Sequence, residues 1–243
     1  MQEIRLPLPG REASYRLVIE PGLRHRLGPL LSPFRFPPQV VVISDRRVAR
    51  LHGAAVLDSL AAAGLTPVLL TTPPGERAKT WAVVQRLARE LLTRGAHRRT
   101  PVIALGGGVV GDLTGFLASI FMRGLPFIQV PTTLLAMVDA AIGGKTAIDL
   151  AEGKNLLGTF HQPRIVVIDP EFLRTLPRAE RLNGLAEVLK AGFIRDRDLL
   201  THLAAVKTGL FQNGAELTDT IYRAAAIKAR IVSQDEREGD LRR

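Results

Sequence analysis

The chain alternates between short apolar runs and longer stretches in which apolar residues recur every three or four positions. The short runs are rich in Val and Ile and span residues 40–43, 68–70, 102–105, 127–130 and 165–168. Strands that are apolar at nearly every position are typical of a parallel sheet covered by helices on both faces. The pattern therefore predicts an α/β fold with a mostly parallel sheet over residues 1–169.

The pattern changes after Pro170, where apolar residues follow only a helical period. A short helix is predicted near residues 172–176, and longer helices are predicted at 181–194, 198–210 and 215–233. The sequence thus predicts two domains. Residues 1–169 form the α/β domain, and residues 170–243 form the beginning of an all-α domain.

The composition excludes several classes of protein. Of the 243 residues, 46% are hydrophobic, so the chain can bury enough apolar surface to fold, and none is Cys. A chain without Cys cannot use thiol catalysis or thiolate zinc ligands. We find neither a secretion signal nor a run of about 18 apolar residues, so we expect a cytoplasmic protein that does not enter membranes.

The charge is strongly positive, with 33 Lys and Arg against 23 Asp and Glu, a formal net charge of +10. The basic residues are scattered among acidic ones and only 5% of residues are aromatic, so we expect no nucleic-acid partner. Only six of the basic residues are Lys, and the other 27 are Arg. Because ammonium and guanidinium groups do different chemistry, the few lysines are candidates for specific roles.

The strongest local motif is G-x-G-x-x-G at residues 106–111, between a predicted strand and a helix predicted at 113–121. Such glycines let the backbone approach a pyrophosphate, and the helix N-terminus supplies amide donors, as in Rossmann-like dinucleotide sites. A tight strand-to-helix turn would give the same pattern. No acid lies about 20 residues beyond the last glycine, so Asp45 is the candidate ribose ligand, or else the cap of the next helix.

Two further turns carry polar groups suited to a nucleotide. In the turn at residues 73–79, Glu76 could accept from sugar hydroxyls and Lys79 could meet a phosphate, although a helix cap would look similar. Thr132 and Thr133 follow the fourth apolar run. Ligands of open α/β sheets bind beyond the carboxyl ends of strands, which is where these hydroxyls are expected.

Residues 143–146 read Gly-Gly-Lys-Thr, which invites comparison with a phosphate-binding P-loop. The spacing excludes that motif, because no glycine stands where its first glycine would fall and no strand immediately precedes it. The five His show no metal-ligand spacing and are interpreted as structural or surface residues. Glu187 and Lys190 share a helix face, either as a surface ion pair or as a buried functional pair among apolar neighbours at 186–189.

Taken together, the segments between residues 106 and 194 resemble the 3-dehydroquinate synthase family. The matching segments, in family order and at family spacing, are GGGVVGDLTGF, RGLPFIQVPTTLLAMVDAAIGGKT, GKNLLGTFHQP, VVIDPEFLRTLP and GLAEVLKAGFI. The resemblance implies a homodimeric lyase of the shikimate pathway that depends on NAD and on a divalent metal, Zn²⁺ or Co²⁺.

The resemblance also implies which residues form the sites. The positions that match the family's NAD-binding residues are Asp45, Gly75, Glu76, Lys79, Gly107, Gly108, Val109, Val110, Gly111, Asp112, Thr132, Thr133, Lys145, Lys154, Phe172, Leu173, Arg174 and Thr175. Those that match its catalytic and substrate-binding residues are Arg123, Asp139, Lys145, Asn155, Lys190, Lys228 and Arg242. Glu187 matches its carboxylate metal ligand. Five of the six lysines fall on these positions, a coincidence that supports the resemblance.

The implied substrate is an anionic sugar phosphate, 3-deoxy-D-arabino-heptulosonate 7-phosphate, and the implied products are 3-dehydroquinate and phosphate. The implied steps are oxidation of a substrate alcohol by NAD, elimination of phosphate, reduction of the ketone and an intramolecular aldol closure. The metal would lower the pKa of the alcohol, and cationic side chains would offset the charge of the enolate.

Two departures from the family bear on the site. The family commonly continues Gly-Gly-Lys-Thr with Gly-Val-Asn-His, whereas residues 147–150 are Ala-Ile-Asp-Leu, which we expect to change loop contacts without touching the site residues. The family's two His metal ligands would follow Arg243. We therefore expect a chain that lacks part of the helical domain, binds NAD weakly at best and has little or no cyclase activity.

Three other functions stay open on the sequence alone. Another sugar-phosphate cyclase would share most of these motifs, although Gly-Gly-Lys-Thr and Arg242 favour dehydroquinate synthase. A metal-dependent polyol dehydrogenase would share the domains, but its uncharged substrate gives no reason for cations to converge. A non-catalytic NAD-binding fragment would bind NAD tightly and take up no metal.

Overall fold

The computed structural model describes residues 1–8, 14–206 and 209–237. Its strands are β1 (Gln2–Leu6), β2 (Tyr15–Ile19), β3 (Gln39–Asp45), β4 (Thr66–Thr72), β5 (Val102–Gly106), β6 (Phe127–Pro131), β7 (Lys145–Leu150), β8 (Gly153–Phe160) and β9 (Ile165–Ile168). Seven of them form one sheet in the order β1-β2-β9-β6-β5-β3-β4. β1 is antiparallel to β2, and the other pairs of this sheet are parallel, which confirms the predicted mostly parallel sheet.

Helices connect and follow these strands. They are α1 (Leu27–Leu31), α2 (Arg46–Val48), α3 (Ala54–Ala62), α4 (Trp81–Thr93), α5 (Gly108–Ile120), α6 (Arg178–Arg195), α7 (Arg197–Val206) and α8 (Gly214–Gln234). Shorter 3₁₀ turns lie at Leu23–His25, Ser32–Phe34, Glu76–Ala78, Phe121–Arg123 and Pro170–Thr175, and π-helical turns lie at Ala49–Gly53 and Ala136–Ala140. The described residues after Pro170 are helical or in turns, as predicted.

Two details differ from the sequence prediction. α5 begins at Gly108 rather than at residue 113, because the second half of the glycine motif forms the first helical turn. Four strands were not predicted: β1 and β2 at the sheet edge, and β7 and β8, which form a separate antiparallel hairpin. β8 is exposed along most of its length, so it carries no apolar signature.

The core lies on both faces of the sheet. Along β3, Val40 and Val42 belong to one buried cluster, whereas Val41 and Ile43 belong to another, as expected when successive side chains point to opposite faces. α4 and α5 cover the second face, and the helices after Pro170 contribute to the first cluster together with α3. The division into two domains at residue 170 stays a prediction. In the described part of the chain, no helix is long and apolar enough to cross a membrane.

Candidate functional site

The carboxyl ends of the parallel strands open into a cavity of about 860 Å³, which we call the cofactor cleft. Its walls include the segments that follow β3, β4, β5 and β6 and the turn that follows β9. The predicted cofactor-binding residues that line it are Asp45, Gly75, Glu76, Lys79, Gly107, Gly108, Val109, Val110, Asp112, Thr132, Thr133, Phe172 and Thr175. Residues from distant parts of the sequence therefore meet where ligands of open α/β sheets bind.

The glycine motif places backbone without side chains at the floor of this cleft. Gly107 precedes the first turn of α5, so the free amide groups of that turn lie at the cleft. A Cβ on Gly107 would lie 2.9 Å from Cγ2 of Thr133, and a Cβ on Gly108 would lie 3.3 Å from Cβ of Ala140. A side chain at Gly107 would thus collide with Thr133 where a phosphate group would need to approach the helix N-terminus.

Lys79 is the centre of a polar cluster in the cleft, although its side chain is only 3% exposed. Its Nζ donates to Oδ2 of Asp112 at 2.7 Å and to Oδ1 of Asn155. Oε1 of Glu76 lies 3.6 Å from the same nitrogen, and Oδ1 of Asp149 lies 4.0 Å from it. Burial raises the pKa of Asp112, the ammonium of Lys79 opposes that rise, and the two other carboxylates add to it.

Asp45 is the N-cap residue of α2 and also lies at the cofactor cleft. One oxygen, Oδ1, accepts from the backbone N–H groups of Arg47 at 2.8 Å and Val48 at 3.0 Å and so caps α2. The other oxygen makes no hydrogen bond with the described residues, and Asp45 also lines the cleft. Both sequence interpretations, a helix cap and a ribose ligand, are therefore compatible with the geometry.

The two threonines after β6 differ in their bonding. Oγ1 of Thr133 accepts from the N–H of Ala136 at 3.2 Å. Oγ1 of Thr132 is buried and has no hydrogen-bond partner among the described residues. A buried hydroxyl without a partner is costly, and in the wall of a cleft it is suited to receive a ligand.

His52 is a cleft residue that the sequence interpretation placed in the structural or surface class. It lies in the π-helical turn after α2 and is 8% exposed. Its Nε2 lies 2.8 Å from Oγ1 of Thr175, and its ring packs edge-on against Phe172 at 4.8 Å. Oγ1 of Thr175 also lies 3.1 Å from the carbonyl oxygen of Phe172, to which its hydroxyl can donate.

Replacement of His52 by glutamine is expected to reduce the loss of stability in acid. Burial lowers the pKa of His52, and Arg24 lowers it further while Asp169 opposes the shift. Below the ordinary histidine pKa of about 6.5, the unfolded chain therefore takes up a proton that the folded chain resists. As the pH falls from the unfolded to the folded pKa of His52, the free energy of unfolding decreases by up to about 1.4 kcal/mol for each pH unit. The His52→Gln substitution removes this contribution.

Urea unfolding of both proteins at pH 7.5 and pH 5 measures the effect, with the exposed His25→Gln as the matched control. An equal acid sensitivity in wild type and His52→Gln would contradict a role for His52.

A second cavity of about 480 Å³ adjoins the cofactor cleft and shares Asp112, Ala140 and Asn155 with it. We call it the cationic cavity because Lys145 and Lys228 line it together with Asp139. Nζ of Lys228 lies 2.5 Å from Oδ1 of Asp139. Four of the predicted catalytic and substrate-binding residues, Asp139, Lys145, Asn155 and Lys228, therefore meet beside the cleft.

Other predicted residues lie outside both cavities. Gly111 faces Gln129, because a Cβ there would lie 2.9 Å from Oε1 of that side chain. Leu173 is buried in the core. The remaining predicted residues that line neither cavity are Arg123, Lys154, Arg174, Glu187 and Lys190. Arg242 lies outside the described residues. The roles implied for all these residues stay predictions.

Of the two interpretations of Glu187 and Lys190, the structure favours an ion pair at the surface, and a functional role for these residues stays a prediction. The two side chains form an ion pair, but that of Lys190 is 57% exposed and that of Glu187 is 26% exposed. Of the apolar neighbours, Val188 is buried while Leu189 lies at the surface, because only one side of α6 faces the core. The hydrogen bond with Glu187 raises the pKa of Lys190.

The expectation that residues 147–150 contact no site residue is wrong. The backbone N–H of Asp149 donates to the carbonyl of Lys79 at 2.8 Å. Oδ1 of Asp149 accepts from the N–H of Asn155 at 2.8 Å. The departure from the family therefore lies in direct contact with two predicted site residues, because the hairpin folds back onto the turn that carries Lys79.

Comparison with known proteins identifies the family. A family model described as 3-dehydroquinate synthase N-terminal matches residues 69–183, and one described as 3-dehydroquinate synthase C-terminal matches residues 184–243. The 3-dehydroquinate synthase of Rhodospirillum rubrum is 46% identical over 232 residues, which is 95% of this chain and 60% of that protein. That of Thermodesulfovibrio yellowstonii is 42% identical over 243 residues, 100% of this chain and 67% of that protein.

Solved structures agree with the fold. The 2-epi-5-epi-valiolone synthase ValA of Streptomyces hygroscopicus, solved with NAD⁺ and Zn²⁺ bound, superposes with a TM-score of 0.86 at 34% identity. The match covers 96% of this chain and 65% of that one. The chain thus spans 60–67% of the length of these three proteins. Because both family models match in chain order and relatives match along its full length, the chain belongs to the 3-dehydroquinate synthase family.

Proposed function

We propose that the whole protein is a 3-dehydroquinate synthase, and that this chain supplies its cofactor cleft and part of its substrate site. The observation that carries the proposal is the junction of two cavities at Asp112 and Asn155. A cleft with a glycine-rich helix N-terminus suits a dinucleotide, and a cavity with two lysines suits an anionic sugar phosphate. The shared wall would hold the reacting carbon of the substrate beside the cofactor.

NAD fits the residues of the cofactor cleft. The unpartnered buried hydroxyl of Thr132 and the floor at Gly107, where a Cβ would collide, are the features expected of a nucleotide cradle. Amide groups at the start of α5 would hold the pyrophosphate, and the second oxygen of Asp45 would accept from a ribose hydroxyl. When bound, NAD would accept a hydride from a substrate alcohol and return it later in the same turnover.

The cationic cavity would hold the substrate. Lys145 and Lys228 would bind its carboxylate and phosphate groups, and Asp139 would keep Lys228 oriented through their ion pair. The same ammonium groups would offset negative charge that develops at the enolate during phosphate elimination. Arg123, Lys190 and Arg242 are proposed as further contacts on the resemblance alone.

A divalent metal does not fit the described residues by themselves. No group of three or more His, Asp or Glu among them is placed to hold a metal ion. Glu187 offers one carboxylate, which is bonded to Lys190, whereas a catalytic zinc site takes three protein ligands. We therefore derive no catalytic step from a metal in this chain, and Zn²⁺ or Co²⁺ stays an implication of the family.

The 243 residues alone are expected to bind NAD⁺ weakly and to release little or no phosphate from 3-deoxy-D-arabino-heptulosonate 7-phosphate. The cleft contains the nucleotide cradle, but a single carboxylate cannot hold the metal. Calorimetric titration with NAD⁺ and a phosphate-release assay, each with and without added Zn²⁺ or Co²⁺, measure the two activities.

The matched control is Gly107→Val, whose side chain would collide with Thr133 and should abolish the NAD⁺ signal. Equal NAD⁺ affinity of Gly107→Val and the unchanged chain would contradict the proposed cofactor cleft, and rapid phosphate release would contradict the expected need for further ligands. A longer version that includes the family's two His metal ligands should release phosphate with added metal if the proposal is correct.

A related sugar-phosphate cyclase is the alternative with structural support, because ValA shares the fold at 34% identity. The 3-dehydroquinate synthases match at 42–46% identity, which favours the proposed substrate. If the longer protein forms 2-epi-5-epi-valiolone rather than 3-dehydroquinate, the alternative function is correct. We further propose a cytoplasmic homodimer, as the family resemblance implies.

A further inference from the structure

Asp149 is a polar residue of the β7–β8 hairpin that no part of the proposed mechanism uses. The hairpin register shifts between Ile148 and Leu150, so Asp149 lies in an irregularity of the ladder. Such a bulge leaves one residue outside the regular pairing and changes the direction of its side chain. Here the bulge residue contacts Lys79 and Asn155, two residues that line the cofactor cleft.

Three contacts join Asp149 to two cleft residues. Its backbone N–H donates to the carbonyl of Lys79 at 2.8 Å, and its Oδ1 accepts from the N–H of Asn155 at 2.8 Å. The same oxygen lies 4.0 Å from Nζ of Lys79. Because Nζ of Lys79 also donates to Oδ1 of Asn155, the three residues form a closed ring of contacts.

The ring satisfies the polar groups of Asn155 in an uncommon backbone conformation. Asn155 has a φ of 58°, in the left-handed region, which asparagine adopts more readily than most other non-glycine residues. The acceptor on Asp149 satisfies its backbone N–H in that conformation, and Lys79 satisfies its side-chain oxygen. Asn155 lies in the wall that the cofactor cleft shares with the cationic cavity, so its placement affects both.

We propose that Asp149 is a positioning residue that holds Asn155 and Lys79 in the geometry that binds the cofactor. This inference rests on the proposed function, since it assumes that the cleft binds NAD. Asp149 acts through its acceptor oxygen and does not itself touch the ligand. An asparagine retains such an oxygen, whereas an alanine does not.

The test compares Asp149→Ala, Asp149→Asn and the control Glu152→Ala for NAD⁺ affinity by calorimetric titration. Glu152 is an exposed acid in the turn of the same hairpin. We expect about tenfold weaker binding for Asp149→Ala, a change within about threefold for Asp149→Asn, and none for Glu152→Ala. Equal affinity of Asp149→Ala and wild type, or equal weakening by both Asp149 variants, would overturn the proposal.

Hydrogen exchange of the hairpin amides without NAD⁺ separates this proposal from the proposed function. The Asn155 amide should exchange faster in Asp149→Ala than in wild type, and it should stay protected in Asp149→Asn and Glu152→Ala. If the wild-type chain binds no NAD⁺, the proposed function fails, while the exchange rates still decide whether Asp149 positions Asn155. Unchanged protection in Asp149→Ala would overturn the inference even if NAD⁺ binds.

Discussion

Replacement of Lys79 by methionine is expected to destabilise the fold by about 3 kcal/mol and to remove measurable NAD⁺ binding. The ammonium is 3% exposed and is the centre of the cluster formed with Glu76, Asp112 and Asp149. Without it, three carboxylates repel one another in a partly buried site, and Asn155 loses the donor to its side-chain oxygen. Urea unfolding and calorimetric titration measure the two effects.

The loss of stability in Lys79→Met should grow as the pH rises. Burial already raises the pKa of Asp112, and removal of the ammonium takes away the group that opposes this shift. A carboxyl whose folded pKa exceeds its unfolded pKa binds more protons in the folded state, so stability falls as the pH rises through that range. A destabilisation that is the same at pH 5 and pH 8 would contradict this account.

Two further variants show whether charge is responsible. Lys79→Met combined with Asp112→Asn should recover part of the lost stability, because one of the unpaired carboxylates is then neutral. Arg86→Met is the matched control, since it breaks an ion pair with Glu90 on the exposed face of α4. Such surface pairs contribute at most about 0.5 kcal/mol. A similar effect of Arg86→Met and Lys79→Met would show that burial of the cluster does not matter.

Four of the parallel strands, β3, β5, β6 and β9, could be predicted from the sequence because they are buried on both faces and are therefore apolar at almost every position. β3 reads QVVVISD and β9 reads IVVI, and short β-branched runs of this kind are typical of strands in the interior of a parallel sheet. The β7–β8 hairpin could not be predicted in this way. Its second strand, GKNLLGTF, is exposed along most of its length and contains two glycines and a lysine. Its position is set by contacts with the rest of the fold rather than by its own pattern.

The site shows the same difference between local and long-range information. The glycine motif and the paired threonines were recognisable because chemistry and strand end coincide in a few consecutive residues. His52 and Asp149 had no such signal, since their partners Thr175 and Lys79 are distant in sequence. For a related reason, the sequence could not decide whether Glu187 and Lys190 are buried. Apolar neighbours on a helix predict burial only when another element covers that face.

Replacement of Asp169 by alanine is expected to destabilise the fold by about 3–5 kcal/mol. The carboxylate is completely buried at the end of β9 and accepts four hydrogen bonds. The backbone N–H groups of Gly22, Arg24 and Glu171 lie 2.9, 3.1 and 3.0 Å away, and Nη1 of Arg24 lies 3.2 Å away. Alanine would leave these half-buried donors without their acceptor, which costs more than the bonds themselves contribute.

The same carboxylate connects the core to the cofactor cleft. Asp169 caps the 3₁₀ turn Pro170–Thr175, and that turn places Phe172 and Thr175 in the wall of the cleft. Asp169→Ala should therefore weaken NAD⁺ binding as well as stability, even where the protein remains folded. Asp169→Asn keeps one acceptor oxygen and should lie between wild type and alanine in both measurements.

Glu171→Ala is the matched control for Asp169→Ala, because both carboxylates bond the same guanidinium of Arg24. Oε2 of Glu171 lies 2.6 Å from Nη2 of Arg24, but its side chain is 34% exposed, whereas that of Asp169 is 0% exposed. Water can replace the partner of an exposed group, so Glu171→Ala should cost about 1 kcal/mol or less. Equal losses in urea unfolding for the two variants would show that the ion pair alone matters. A much larger loss for Asp169→Ala would assign the difference to the three backbone amides that donate to Asp169.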